Sequence, residues 1–418
     1  MRTLNVFIDE SLVGTLFENS GVWSFQYHDD WVKRGFPLSP GLPLQPDMHV
    51  DSGTLRPVQW YFDNLLPEEM ARVRLVDSLP KGEWDAWELL KHFGAESAGA
   101  ITLLEPGQSL ADSALVMLPD EDLERRIQNM PRVSLGSTAP KKMSLAGAQE
   151  KLLVSCVDGV LYEPVGAQAS THILKPDALS DFYPNSAVNE WYCARIAQKM
   201  KLNVPEVLLR YVPSPVYIIQ RFDRQVDHGN VTRLHTLDAA QALSISAGSK
   251  YTMAGAKSLH DVIQITRSKI KTRLSIFRWV VFNAFIGNGD AHLKNLSLFS
   301  SASGYELTPF YDLVSTATWN GAKWLDVELS FPIGDAVYFG SLNLEHFKQL
   351  AEEIGLPPKL AEKEVSMMVK SIEKAADEVL HEFEVKQVPT NLRAAQLSMI
   401  RSIRYLPIAE MVQRLKQS

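Results

Sequence analysis

"FNAFIGNGDAHLKNLSLF", Phe282–Phe299, sets a polar turn between two apolar runs. An apolar run stops at Gly287-Asn288-Gly289, and Asp290, His292, Lys294 and Asn295 then crowd into one turn before an apolar alternation resumes. Such a turn is either a solvated connection or a set of working side chains held between rigid flanks. Its setting is a chain of 418 residues, 45% hydrophobic, long enough for more than one core. A net charge of -7 argues against coating nucleic acid or an anionic membrane by bulk charge. The 2 cysteines, Cys156 and Cys193, lie far apart in apolar segments, which excludes a disulfide framework and fits a reducing cytosol. The start, "MRTLNVFIDE", lacks a signal-peptide core, and no window reaches about eighteen apolar residues, so a soluble, cytoplasmic protein without membrane contact is expected.

Outward from the turn, hydrophobic periodicity predicts the architecture. "LNVFID", "LVGTLFE" and "VWSFQY" read as a β-meander, and "FPLSPGLPLQPDM" is too rich in proline for helix or central strand. Helical spacing returns in "WYFDNLLPEEMARVRLVDSL", in "EWDAWELLKHFG" and in "PDEDLERRIQNM", with "AGAITLL" a strand; "PRVSLGSTAPKK" has a linker's composition. "EKLLVSC" and "THILKPD" are strands, "SAVNEWYCARIAQKMKLNVP" is a helix, and "EVLLRYV" with "VYIIQRF" is a hairpin-like pair. Beyond Arg224 the pattern is mainly helical, interrupted by the opening stretch and by "YELTPFYDLVS". The expectation from these patterns is an α+β chain, a mixed α/β N-terminal part followed by a mainly helical C-terminal lobe, with boundaries near residues 130 and 224.

The chemistry rests on spacing. Asp290 and Asn295 have the Asp-x-x-x-x-Asn separation of a kinase catalytic loop, where the Asp takes a hydroxyl proton and the Asn oxygen reaches magnesium. Alone this is weak, because ordinary residue usage gives roughly one such match in a chain of this length. Downstream, "LTPFYDLVS" carries Asp312, either a second hard oxygen ligand for magnesium or the cap of a following helix. Upstream, "HILKP" sets Lys175 in an apolar strand, where it must reach solvent by its stem or meet an anion. Glu190 on the next helix completes the kinase order of strand lysine and helix glutamate. "SLAGAQEK", Ser144 to Lys151, has small residues that let backbone N–H groups approach a phosphate, though it is neither a Walker A sequence nor the usual kinase glycine pattern. Lys294 suits a transferring phosphoryl group, and His292 either orders the loop or contacts phosphate; the scattered histidines make zinc a poor reading.

With "SLAGAQEK", "THILKP", "NEWYCARIA", "LNVP", "RFDR", "GNGDAHLKNLSLF" and "LTPFYDLVS" in order, and "PLSPGLPLQ" and "WYFDNLLPE" before them, the chain resembles the HipA family of bacterial toxin kinases over nearly its whole length. The resemblance implies a two-lobed, protein-kinase-like fold with a β-rich subdomain over 1–130, an ATP-binding lobe over 131–224 and a helical catalytic lobe over 225–418, and a serine/threonine-protein kinase using ATP and Mg2+, with Asp290 the catalytic base and Asn295 and Asp312 the metal ligands. It implies nucleotide contacts from Ala146, Gly147, Ala148, Gln149, Glu150, Lys151 and Lys175. Further contacts would come from the hinge Gln220, Arg221, Phe222 and Asp223, and from His292, Lys294, Asn295, Tyr311 and Asp312. Ser144 matches the family's autophosphorylated, self-inactivating serine. The implied substrate is an aminoacyl-tRNA synthetase, glutamyl-tRNA synthetase foremost. The implied partner is a HipB-like helix-turn-helix antitoxin that represses operator DNA. Gln220 stands where many members have Glu. "ELSFPIGDAVYFGSLNLEHF" carries no Lys or Arg, so operator contact is expected through the antitoxin. A competing reading is a nucleotide-binding co-repressor that stabilises an antitoxin–operator complex with little turnover.

Overall fold

The computed structural model describes residues 1–77, 79–130, 132–141 and 149–417. The chain gathers into two compact units, and it enters the first one three times: Met1–Lys175, Ile219–Ser249 and Ser297–Thr308. The second comprises Pro176–Ile218, Lys250–Leu296 and Pro309–Ser418.

The first unit opens with the expected meander, Arg2–Ile8, Ser11–Asn19 and Val22–Tyr27, in an antiparallel sheet completed by His49–Val50 and Ile101–Leu104. Period-two alternation turns Leu4, Val6, Leu16 and Phe25 inward, where helices Pro57–Asp63 and Ala86–Phe93 cover them. Trp23 meets Trp87 edge to face with ring centres 5.2 Å apart. The proline-rich passage is neither helix nor central strand; it is pinned by Tyr27, whose hydroxyl donates to the Leu42 carbonyl at 2.6 Å and accepts from the Leu38 N–H at 2.8 Å. A second antiparallel group follows in the order Ala114–Met117, Val160–Val165, Leu152–Val157, His172–Pro176.

The segments that return to this unit are more β-rich than their sequence suggests. Arg224–Asp227 pairs with Asn230–Arg233, and Thr236–Asp238, Ser297–Ser301 and Gly304–Leu307 make a three-stranded sheet. Strands Glu328–Ile333 and Ala336–Tyr338 likewise interrupt the second unit. These strands have few residues each, too few for a period to register. Gly99 is required where Thr236 passes: at φ +71, a Cβ would lie 2.8 Å from the Thr236 backbone nitrogen.

The second unit is mainly helical. Lys269–Ile286 is its central helix, buried nearly all round from Ile276 onward, while Pro358–Val385, 28 residues long, buries one face through Val365, Ile372, Ala376 and Phe383. Helix Ser186–Lys199 is fastened to Pro358–Val385 by the Tyr192 hydroxyl donating to the Ala376 carbonyl at 2.9 Å. Thr390–Ile403 continues through a π-helical turn, Arg404–Ile408, into Ala409–Gln417, and Pro407 inside that turn accounts for the irregularity. No helix among the described residues is long and apolar enough to cross a membrane.

Candidate active site

The turn that opened the sequence reading is built by side chains, not left to solvent. The central helix ends at Gly287 in the left-handed region, φ +65, and a Cβ there would lie 2.4 Å from that of Ala317. Asn288 then donates to the Asn283 side chain at 2.8 Å and accepts the Asp290 N–H at 2.9 Å. Thr316 accepts the Gly289 N–H at 2.8 Å and donates to the Gly287 carbonyl at 3.1 Å. Asn283, Asn288 and Thr316 therefore fix the backbone that presents Asp290, a supporting role the sequence reading missed.

Within this turn Asp290, His292, Lys294 and Asn295 come together as expected. The Asn295 side-chain N–H donates to the Asp290 carbonyl at 2.8 Å, which commits its nitrogen and leaves the amide oxygen as the atom able to meet a cation. The Tyr311 hydroxyl donates to the Lys294 carbonyl at 2.7 Å. Asp312 sits at φ +57, a strained position for a residue with a Cβ. It does not cap the following helix, Ala317–Asn320, whose N-cap is Thr316; the capping alternative is thereby excluded. Asn189 holds this segment by donating to the Ser315 carbonyl at 3.0 Å and accepting its N–H at 2.8 Å. A carboxylate and an amide oxygen are hard donors, and magnesium takes few protein ligands of that kind, so the set fits the ion.

Asp290 has neighbours that no motif announced. The Tyr251 hydroxyl donates to its Oδ1, and His292 Nε2 lies 3.9 Å from the same oxygen. The His292 and Tyr251 rings meet edge to face at 4.9 Å, and the Lys250 ammonium lies 5.2 Å from the Tyr251 ring centre. Burial raises the Asp290 pKa and Asp312 adds to it, against His292, the Tyr251 hydrogen bond and Lys250, which all lower it. His292 thus lies beside the candidate base, and its backbone N–H donates to the Asp290 carbonyl at 2.9 Å.

Lys175 lies on strand His172–Pro176 and Glu190 on helix Ser186–Lys199, the strand-then-helix order of the sequence reading, and both are buried. Ser144, Ala146, Gly147 and Ala148 lie outside the described residues. Glu150, just after them, is anchored by accepting from the Ser134 hydroxyl at 3.0 Å and the Leu135 N–H at 3.2 Å; Gln149 and Lys151 flank it, partly exposed.

In the segment expected as a hinge, Gln220 is exposed, Phe222 meets Phe299 edge to face at 6.0 Å, and Arg221 and Asp223 are buried. Arg221 forks onto Asp223 at 2.9 and 2.6 Å, and Asp223 also accepts the Gly99 N–H at 2.7 Å. Around them stands Glu96, fully buried and invisible as a motif. It accepts from Lys141 at 2.6 Å, Arg224 at 3.1 Å, Arg233 at 3.2 Å and the Ser170 hydroxyl at 3.0 Å. Burial opposes its ionisation, yet Arg224, Lys141, Arg221 and Arg233 together hold its pKa well below the usual carboxylate range.

A buried strand lysine, a buried helix glutamate and a rigid Asp-to-Asn turn ahead of a strained Asp are the parts of a protein-kinase-like fold. Residues 143–376 match the family model of the HipA-like C-terminal domain, and residues 4–104 that of the HipA N-terminal domain. The chain belongs to the HipA family. It is 30% identical to the inferred kinase Y4mE of Sinorhizobium fredii, over 91% of this chain and 93% of that one. It is 28% identical to the serine/threonine-protein kinase toxin HipA of Shewanella oneidensis, over 90% and 89%. The solved complex of Shewanella HipA with HipB and its operator DNA contains a chain similar to this one at a TM-score of 0.82 and 25% identity, covering 99% and 97%.

Proposed function

We propose that this protein is an ATP- and magnesium-dependent serine/threonine-protein kinase acting as the toxin of a toxin–antitoxin pair. The observation that carries the reading is Asp290 held by a side-chain-built turn, with Asn295 bonded to its carbonyl and Asp312 near enough to raise its proton affinity. Asp290 accepts the proton of a serine or threonine hydroxyl as that oxygen bonds the γ-phosphorus, the bridging oxygen leaves with ADP, and Lys294 offsets charge on the moving phosphoryl group. Bound magnesium supplies charge neutralisation across the phosphates, with Asn295 and Asp312 as its protein ligands. Lys175 and residues 146–151 bind the phosphates, and the backbone of Gln220–Asp223 meets the base, with the Arg221 and Asp223 side chains bracing it.

The raised proton affinity of Asp290 suits a group that must take a proton. The names of the relatives, a kinase toxin and its complex with HipB and operator DNA, support an antitoxin partner that carries the DNA contact. An aminoacyl-tRNA synthetase is the proposed substrate, and Ser144 the proposed self-phosphorylation site: about two added charges beside the phosphate loop would repel ATP.

One experiment tests these together. Purified wild type, Asp290→Asn and Ser144→Ala are incubated with labelled ATP, magnesium and a bacterial extract, and phosphosites are mapped by mass spectrometry. Asp290→Asn should lose about a hundredfold or more of the transfer at an unchanged melting temperature, and Ser144→Ala should lose the loop phosphopeptide alone. Undiminished transfer by Asp290→Asn would refute the base; ATP bound without any transfer would leave the co-repressor reading in possession.

A further inference from the structure

The group proposed as the general base already holds a hydroxyl. Tyr251 donates its phenolic proton to Asp290 Oδ1, the bond a serine or threonine hydroxyl must make before transfer. Tyr251 is held in place from several sides. The Lys250 carbonyl takes the Leu293 N–H at 3.5 Å, tying this segment to the catalytic turn, and the ring lies between the Lys250 ammonium and the edge of His292. Yet Tyr251 is 40% exposed and the Asp290 side chain 44%, so the contact faces solvent and can be exchanged.

Resting on the kinase reading, we infer that Tyr251 is an acceptor-site residue: its hydroxyl occupies the position on Asp290 that the substrate hydroxyl must take, and an incoming acceptor displaces it. The consequence is a built-in competitor. A tyrosine tethered beside the base has a high effective concentration, so a weakly bound acceptor, water above all, is excluded from Asp290, while a docked protein segment can dislodge the ring. ATP is thereby spared futile hydrolysis, in which water bonds the γ-phosphorus, its proton passes to Asp290, and ADP leaves.

The test measures ADP release from magnesium–ATP with water as sole acceptor, and in parallel transfer to dephosphorylated casein, for wild type, Tyr251→Phe, Tyr251→Ala and Tyr251→Phe/Asp290→Asn. Tyr251→Phe keeps the ring and removes only the competing hydroxyl. Hydrolysis should rise about tenfold, the scale on which one hydrogen bond to a partly exposed charged group is worth. KM for casein should fall by a similar factor, KM for ATP should move less than twofold, and the double variant should lose the gain. Unchanged hydrolysis in Tyr251→Phe, or a fall with both KM values constant, overturns the inference and leaves Tyr251 as a brace for Asp290. If Asp290→Asn hydrolyses ATP as wild type does, it is the kinase reading that fails.

Discussion

Replacing Glu96 with glutamine removes one charge from a site with no exposed surface and keeps the side chain's shape. One carboxylate oxygen accepts from the Ser170 N–H and hydroxyl and from Arg224; the other accepts from Lys141 and Arg233. An amide has a single oxygen, so in either orientation its NH2 faces a set of donors, and the remaining carboxylates are Asp223, on Arg221 and Arg224, and the half-exposed Asp9, 3.5 Å from Arg233. Leaving buried charge uncompensated in this way costs about 3–5 kcal/mol. For a cooperative unit of roughly two hundred residues this corresponds to a fall in Tm of about 6–20 °C. The sign with pH follows from the depressed pKa: the Glu96 contribution is present above the ordinary carboxylate range and is lost as pH falls through its lower folded value. Scanning calorimetry at neutral pH should resolve the shift, with Asp261→Asn as control. Asp261 pairs with Lys257 at 2.6 Å on an open helix face, the lysine being 90% exposed, and such pairs contribute under about 1 kcal/mol. A Glu96→Gln protein unfolding within about 2 °C of wild type would refute the claim that this carboxylate holds the cluster together.

Two further outcomes are expected. Asp312→Ala should lower phosphoryl transfer about a hundredfold and raise the magnesium concentration needed for half-maximal rate; an unchanged magnesium dependence would remove Asp312 from the metal site. His235, wholly buried between the Tyr61 hydroxyl and the Leu38 carbonyl, has its pKa pushed down to about 4 by burial, so it remains neutral in the folded protein. The unfolded chain binds that proton first, and stability should therefore fall by about 3 kcal/mol as pH drops from 6.5 toward 4. An NMR titration of His235 with a midpoint above 6 would contradict this.

Local rules reach far along this chain. The alternation of Leu4 and Val6, the four-residue steps of Val188, Tyr192 and Ile196, and the Gly94 and Gly287 helix ends all act between near neighbours, so the meander, the long helices and the polar turn are legible in sequence. Short strands such as Arg224–Asp227 and Glu328–Ile333 are not, because pairing with a partner, not periodicity, makes them strands. The candidate site divides the same way. Asp290 and Asn295 announce themselves by fixed spacing, since one turn of backbone presents both; Asp312, beyond strands Ser297–Ser301 and Gly304–Leu307, comes near Asp290 only through the fold.

Tyr251 and Glu96 announce nothing. Tyr251 stands 39 positions before Asp290, and Glu96 stands 128 positions before Arg224, so each is a functional neighbour only through tertiary contact. The polar turn and the secondary structure that frames it can be read locally, because backbone propensity and hydrophobic period act between near neighbours. Packing of the whole chain is what returns Ile219–Ser249 and Ser297–Thr308 to the first unit, sets a buried glutamate against Arg221 and Arg224, and gives the candidate base a tyrosine hydroxyl. Burial of charge and the meeting of distant hydrogen-bonding groups are properties of the packed chain, and no window of sequence contains them.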